Sequence, residues 1–427
     1  MKAFNIGRRI YWKNLLTYLA FSAVALIFGI VTVVGVSAVS ADPAVFLLSG
    51  ALLYFMLYGL LIRWQHRRSV RWTRSAYTVG IAVLGAASFL FLKPLNDPAS
   101  VPTSDDGVRY WRLSTGSSIA YVHVEAKGDK RPSPIVFLHG GPGTPDMAGD
   151  VRFFSRLADE GYDVYIYDQV GSGRSSRLND PRDYGILRDV ADLEAIRHQI
   201  GAERMILIGH SYGCEIIADY MAGYPDQVEK AVFSSPGAIN PKDTSDAGLT
   251  GKLDEAQLRE LYANLLQPRA LLVYALLQVN PEAAHRLAGD EEMDARFDRV
   301  YAATEPALHA KGKRSGQRIH GLGFYANQFP QSRTAPESPD PRQALARLNA
   351  PALILKGSDD YLSWSSAMDY RNALRNSQLV YLEEAGHNLY QDQPTLAREL
   401  IVSFLAGRPL PLRPYEEVSP PATFRGP

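Results

Sequence analysis

The stretch "MILIGHSYGCEIIADYM", Met205 to Met221, decides the fold. An apolar run from Met205 to Gly209 passes at once into a helical pattern beginning near Gly213, and Ser211 sits at the junction. Gly209 and Gly213 remove the side chains that would collide in a sharp strand-to-helix turn, the context required of a G-x-S-x-G elbow. A bare Gly-Ser turn fits the pentapeptide equally well. A working serine needs more than the turn: a base, a group to orient that base, and donors for a developing oxyanion. The remaining chain must supply them.

Working outward, short β-rich runs recur at Ser118–Glu125, Pro134–Gly140, Tyr162–Asp168, Arg204–His210, Lys230–Pro236, Pro351–Gly357 and Gln378–Glu384. Several are nearly continuous apolar runs, as expected of strands covered on both faces. Helical patterns lie between them, one from Val151 and one from Gly185 that Gly201 ends. This alternation predicts an α/β fold, a mostly parallel sheet with helices on both sides. From 238 to 348 the rhythm breaks into "LDEAQLRELYANLL", "PRALLVYALLQV" and "EEMDARFDRVYAAT" with no strand pattern. A helical cap is expected there, over a core made of 117–237 and 349–406, with an irregular proline-rich tail at 407–427.

The partners of Ser211 follow from order. "HGGPG", His139 to Gly143, comes directly after the strand "IVFL", where Gly140 and Gly141 let backbone N–H groups face a site. The N–H of Tyr212, next to the serine, is a second donor. Downstream, "ILKGSDDYLSW" places Asp359 and Asp360 after one strand, and "YLEEAGHNLY" places His387 after the next. His387 alone among the nine histidines lies beyond the expected cap. Serine, acid, histidine is the order that an elbow serine requires. Counting from Gly357 favours Asp360 as the orienting acid. Asp359 is the alternative, and whichever is not used is a turn or cap residue.

"HGGPG", "DQVGSGRS" (Asp168 to Ser175), "GHSYG" and "GSDD…AGH" together resemble the α/β-hydrolase family of prolyl aminopeptidases, or proline iminopeptidases, from about Ser117 to Leu405. The resemblance implies a serine hydrolase with a helical cap that releases an amino-terminal residue, often proline, from short peptides. It implies Gly141 and Tyr212 as oxyanion donors, Asp360 as the acid, and no metal or organic cofactor. The chain also departs from the family. Tyr212 stands where tryptophan is common, His210 where glycine is, and Val170 where arginine is. The family's glutamate segment for the substrate ammonium has no match, which leaves Glu282, Glu291, Glu292 and Glu305 as the acids of the cap. A carboxylesterase or lipase competes with the aminopeptidase, and a non-catalytic receptor or scaffold on a hydrolase fold is the rival of another class. Asp168 and Gln169 are expected to organise the loop beneath the site.

Ahead of this core, Asn14 to Ala41 carries no charged side chain, and Pro43–Ile62 and Ser75–Leu92 are two further uncharged runs. A bilayer core needs about 20 residues of helix. Residues 1–92 therefore read as a membrane module with spans at about 15–40, 43–62 and 75–92; the third is the shortest, where an interfacial or buried helix competes. A cleaved leader ending near Val39–Ala41 would have an apolar region far longer than the usual stretch of about 7–15 residues. Lys2, Arg8, Arg9 and Lys13, with Arg63, Arg67, Arg68, Arg71 and Arg74, mark the cytoplasmic side. The chain after Leu92 then emerges outside the cell membrane, through a linker at 93–116 that holds Pro94, Pro98 and Pro102. Lysine plus arginine equals aspartate plus glutamate at 45 each, so no basic field calls for nucleic acid. The expected partners are the lipid bilayer and a small-molecule or short-peptide substrate. With Cys214 the sole cysteine, no intramolecular disulfide can form.

Overall fold

A computed structural model describes residues 2–65, 70–95, 107–239, 248–314, 319–332, 335–336 and 339–427, with the backbone alone for 2–11 and 70–72. Arg67 and Arg68 of the basic loop and residues 96–106 of the expected linker lie outside the described residues.

Three long helices open the chain: α1 (Lys2–Ser37), α2 (Pro43–Gln65) and α3 (Val70–Leu92). Each contains a segment long and apolar enough to cross a membrane, Trp12–Ser37, Pro43–Gln65 and Thr73–Leu92. Their outward faces are apolar, with Ile27, Leu48, Met56 and Phe89 exposed. Between the helices Gly29 and Gly50 bring two backbones together, because a Cβ on Gly50 would lie 2.7 Å from the Gly29 carbonyl. The Tyr54 hydroxyl donates to the Gly80 carbonyl at 2.8 Å, and that of Tyr58 to Ala76 at 2.6 Å, so the polar groups inside are satisfied.

The strands and helices that follow are β1 (Val108–Arg112), β2 (Ser118–Val124), β3 (Ile135–Leu138), α4 (Met147–Phe154), β4 (Val164–Tyr167), α5 (Ile186–Ile200), β5 (Met205–His210), α6 (Tyr212–Gly223) and β6 (Val228–Ser234). Helices α7 (Glu255–Leu265), α8 (Pro268–Leu277), α9 (Pro281–Leu287), α10 (Asp290–Thr304), α11 (Phe324–Gln328) and α12 (Arg342–Leu345) fill the interval expected to be helical. The chain ends through β7 (Ala352–Gly357), α13 (Trp364–Ala373), β8 (Ser377–Leu382), α14 (Leu389–Asp392) and α15 (Pro394–Leu405).

The eight strands form one sheet in the order β1-β2-β4-β3-β5-β6-β7-β8, parallel from β4 to β8 and antiparallel at β1 and β2. Every residue of β3, β5 and β7 is buried, which is why these segments read as unbroken apolar runs. Alternate residues divide between the two faces. Phe137, Ile166, Ile208, Val232 and Leu355 pack against Phe154 of α4 and Leu400 and Ile401 of α15. On the other face Phe233 meets Tyr370 of α13, ring centroids 4.9 Å apart. Strand β3 pairs with β4 on one side and β5 on the other, so the connections leaving β3 and β5 diverge at its carboxyl end. That is the crevice in which open α/β sheets bind ligands.

The chain divides into two compact units. One contains the sheet. The other joins the first three helices with Leu265–Glu292, so α8 and α9, inside the stretch expected to cap the core, belong with the amino-terminal helices.

Candidate active site

Ser211 follows β5 with φ 52° and ψ −116°. A left-handed serine costs about 1–3 kcal/mol and persists only where its surroundings fix it. Here its N–H donates to the Ser234 carbonyl at 3.0 Å, and its own carbonyl accepts from Cys214 at 2.9 Å and Gly237 at 3.2 Å. The two glycines are needed for close approach: a Cβ on Gly213 would run into the Leu138 carbonyl, and one on Gly209 would come within 2.7 Å of Gly213. Tyr212 is the first residue of α6, so its N–H has no acceptor within the helix.

Four loops at the carboxyl ends of β3, β5, β7 and β8 converge on a cavity of about 230 Å³ lined by Gly140, Gly141, Ser211, Tyr361 and His387 among others. Gly141 has φ 123° and precedes a cis peptide to Pro142. The loop is held from below. The Gln169 N–H donates to His139 Nε2 at 2.9 Å, and the Gln169 side chain donates to the His139 carbonyl at 2.8 Å. Burial lowers the His139 pKa to about 4, so the ring is neutral. Asp168 accepts from the Arg174 N–H at 2.8 Å, and burial raises its pKa to about 6.

Asp360 Oδ1 lies 2.8 Å from His387 Nδ1, and its Oδ2 accepts from Lys356 Nζ at 2.8 Å. Burial alone would push this carboxyl up, but the Lys356 ammonium and the His387 ring hold it well below the ordinary carboxylate range. Asp359 turns elsewhere. It accepts from Ser358 Oγ at 2.6 Å and meets Arg425 of the tail at 3.3 Å. With Nδ1 donating to Asp360, His387 keeps its Nε2 lone pair for another partner. Its loop is pinned at two points: the Ser235 hydroxyl donates to the His387 carbonyl at 2.7 Å, and the Gly386 N–H donates to Asp392 at 2.7 Å. Thus Ser211, His387 and Gly141 share one cavity, Asp360 orients the histidine ring from behind, and Tyr212 follows the serine.

Residues 133–394 match the family model described as the alpha/beta hydrolase fold. The chain belongs to the α/β-hydrolase family. A proline iminopeptidase of Saccharolobus solfataricus is 26% identical over 301 residues, covering 68% of this chain and 89% of that protein. One from Lactobacillus helveticus is 26% identical over 270 residues, covering 62% and 87%. The crystal structure of the Mycobacterium smegmatis proline iminopeptidase aligns with a TM-score of 0.48 at 20% identity, covering 70% of this chain and 98% of that one.

In this hydrolase several cavity residues were not singled out by the sequence. Tyr361 lines the cavity together with Ser211, and its ring lies 4.5 Å from that of His387. Asp146 and Asp150 line the same space, and Asp150 accepts from the Tyr390 hydroxyl at 3.0 Å. Burial and the neighbouring Asp146 push the Asp150 pKa well up. The cap acids lie elsewhere: Glu282 meets Arg286 at 2.6 Å, Glu305 is 3.2 Å from His309, and Glu292 pairs with Arg269. Asp146 was findable, since an aspartate before "MAGD" is a helix N-cap signal, and its side chain accepts from the Gly149 N–H at 3.0 Å. His210, which stands where the family has glycine, packs 4.8 Å from the His387 ring and is kept neutral by burial and by His387, its pKa near 3.

Proposed function

We propose that this hydrolase is a membrane-anchored serine aminopeptidase of the proline iminopeptidase type, acting outside the cell membrane. The observation that carries the chemistry is the 2.8 Å contact of His387 Nδ1 with Asp360 beside the cavity that holds Ser211 on its elbow. Ser211 Oγ attacks the scissile carbonyl while His387 Nε2 takes its proton. Asp360 keeps the imidazole in the required tautomer and stabilises the imidazolium. The oxyanion accepts from the backbone N–H groups of Gly141 and Tyr212. His387 then protonates the departing amine, and water repeats the sequence on the acyl-enzyme.

Peptidase is favoured over esterase by charge. Asp146 and Asp150 are acidic, while no lysine or arginine is among the described residues lining the cavity. Such a site suits the free ammonium of a peptide's first residue, whose charge would favour the ionised form of carboxyls that burial pushes up. The cavity is also small beside the roughly 300–1,000 Å³ common for ligand pockets, which suits a single residue as acyl group. Spanning helices are supported by the length and hydropathy of α1, α2 and α3, and the outward orientation by the basic residues of the sequence.

The test uses the full chain in detergent or liposomes. A fluorophosphonate probe should label wild type and not Ser211→Ala, whose turnover should fall by about 10³-fold or more. Proline anilide should be cleaved in preference to N-acetylproline anilide and to a short-chain nitrophenyl ester. Labelling that persists in Ser211→Ala overturns the nucleophile. Preference for the acetylated substrate or the ester overturns the aminopeptidase reading and leaves an esterase.

A further inference from the structure

The carbonyls that end a membrane helix need partners, because the helix supplies none and hydrocarbon offers none. In the unit that holds α1, α2 and α3, those partners come from a distant part of the chain. The Asn280 side chain donates to the carbonyl of Ser37, the last residue of α1, at 2.7 Å. Arg269 donates to the carbonyl of Leu92, the last residue of α3, at 3.1 Å. Its guanidinium, nearly fully buried, also donates to Glu292 at 2.8 Å and to the Leu287 carbonyl at 2.9 Å. Glu292 in turn accepts from the Leu95 N–H at 3.0 Å. A cation at a helix carboxyl end is also favoured by the helix dipole.

These bonds fix the depth of α8 and α9. The short turn from Ser37 to Pro43 puts the end of α1 and the start of α2 on one side, and Leu92 ends α3 on that side too. The inner face of α8 is apolar and covered, with Leu272, Val273, Leu276 and Leu277 buried against neighbours that include α3, α1 and α9. Its outer side is not polar either. Leu266, Leu271 and Val279 are 61%, 45% and 38% exposed at the level where the spans end. Lys93, exposed and next to Leu92 in sequence, holds its ammonium 5.2 Å from the Phe89 ring, as a cation does when its stem lies in the apolar layer and its head among headgroups.

We propose that α8 and α9 form the surface-lying part of the membrane module, with Leu266, Leu271 and Val279 inserted into the outer leaflet where acyl chains meet headgroups. The partner is the bilayer itself, bound through an apolar surface continuous with that of the spans. Such a helix sits roughly 5–10 Å into the headgroup–acyl boundary. The inference rests on the reading that α1, α2 and α3 cross the membrane.

Single cysteines at Leu271, Val279, Met56 and Glu203, in the full chain, separate the two. Wild type is the blank, because Cys214 is buried. Each variant is matched to wild type by circular dichroism, labelled with bimane, and placed in phosphatidylcholine–phosphatidylglycerol liposomes. The lipids carry a nitroxide near the headgroup or near the chain end. Labels at Leu271→Cys and Val279→Cys should be quenched about twofold or more by the shallow nitroxide and little by aqueous iodide. Met56→Cys, on the outer face of α2, should respond to the deep nitroxide, and Glu203→Cys to iodide alone. If Met56→Cys behaves as expected while Leu271→Cys and Val279→Cys follow Glu203→Cys, the surface-lying segment is wrong and the spans stand. If Met56→Cys ignores lipid as well, the spanning reading falls and this inference with it. Labels shielded from both quenchers, with the shielding lost on dilution in lipid, would mean that a second copy covers the surface, which also overturns the proposal.

Discussion

Lys356 and Asp360 are both fully buried, four residues apart at the end of β7, and the ammonium is the charge that lets the carboxylate stay ionised there. Removing one member of a buried pair costs about 3–5 kcal/mol, because the other is left uncompensated. Lys356→Met should therefore destabilise the chain by that order. Its effect on activity has a sign. A carboxyl held below its unfolded value contributes stability above about pH 4, and that contribution is lost as pH falls through the depressed folded value. Without Lys356 the Asp360 pKa rises, so both the loss of stability and the acid limb of kcat should begin at higher pH than in wild type. If thermal stability drops while the acid limb stays where it was, Lys356 supports the fold and does not tune Asp360.

The element that carries His387 is set by a second buried ion pair. His309 Nδ1 lies 2.7 Å from Asp392, whose other oxygen accepts from the N–H groups of Gly386 and Ala310 at 2.7 Å. Burial would lower the His309 pKa, but Asp392 and Glu305 overcome it and raise it to about 9. A histidine raised in this way stabilises fully below its unfolded pKa near 6.5 and loses that contribution as pH climbs through about 9, a difference of the order of 3 kcal/mol. In thermal-inactivation midpoints, His309→Gln should be well below wild type at pH 6 and should approach it above pH 9. A gap that stays constant with pH would rule out the charged form as the source.

At this scale the sequence is readable where one physical constraint dominates. The strands buried on both faces announce themselves as apolar runs, and the elbow announces itself by its glycines. β1 escaped, because "VRYWR" at a sheet edge alternates polar and apolar residues over only five positions. Helix α4 begins at Met147 and not at Val151, since the Asp146 cap starts it a turn earlier. Asp150, Tyr361 and Lys356 were not legible as site residues, because their roles come from loops that meet in space and not from any spacing along the chain. The tail read as irregular, and it is, yet the Tyr415 N–H donates to the Leu379 carbonyl at 2.6 Å, covering the edge strand β8.

For the whole molecule, the division into two units does not follow the order of the chain. A linear reading places the boundary after Leu92 and assigns everything from 238 to 348 to the cap, whereas Leu265–Glu292 is grouped with the amino-terminal helices. The cause is compositional. "PRALLVYALL" is apolar on nearly every side, and a helix of that kind needs cover all round. Cutting the chain after Leu92 would strip that cover from Leu272, Val273, Leu276 and Leu277 and leave Arg269 without the Leu92 carbonyl. Each exposed leucine or valine costs about 1.5–3 kcal/mol relative to burial and adds to a sticky patch. A chain beginning at Lys93 should therefore aggregate without detergent, even though its sheet and candidate catalytic residues are all present. Leu272→Gln and Leu276→Gln together should improve its recovery as a monodisperse species by size-exclusion chromatography. If the truncated chain is monodisperse and soluble with no such change, α8 does not depend on the amino-terminal helices for its cover.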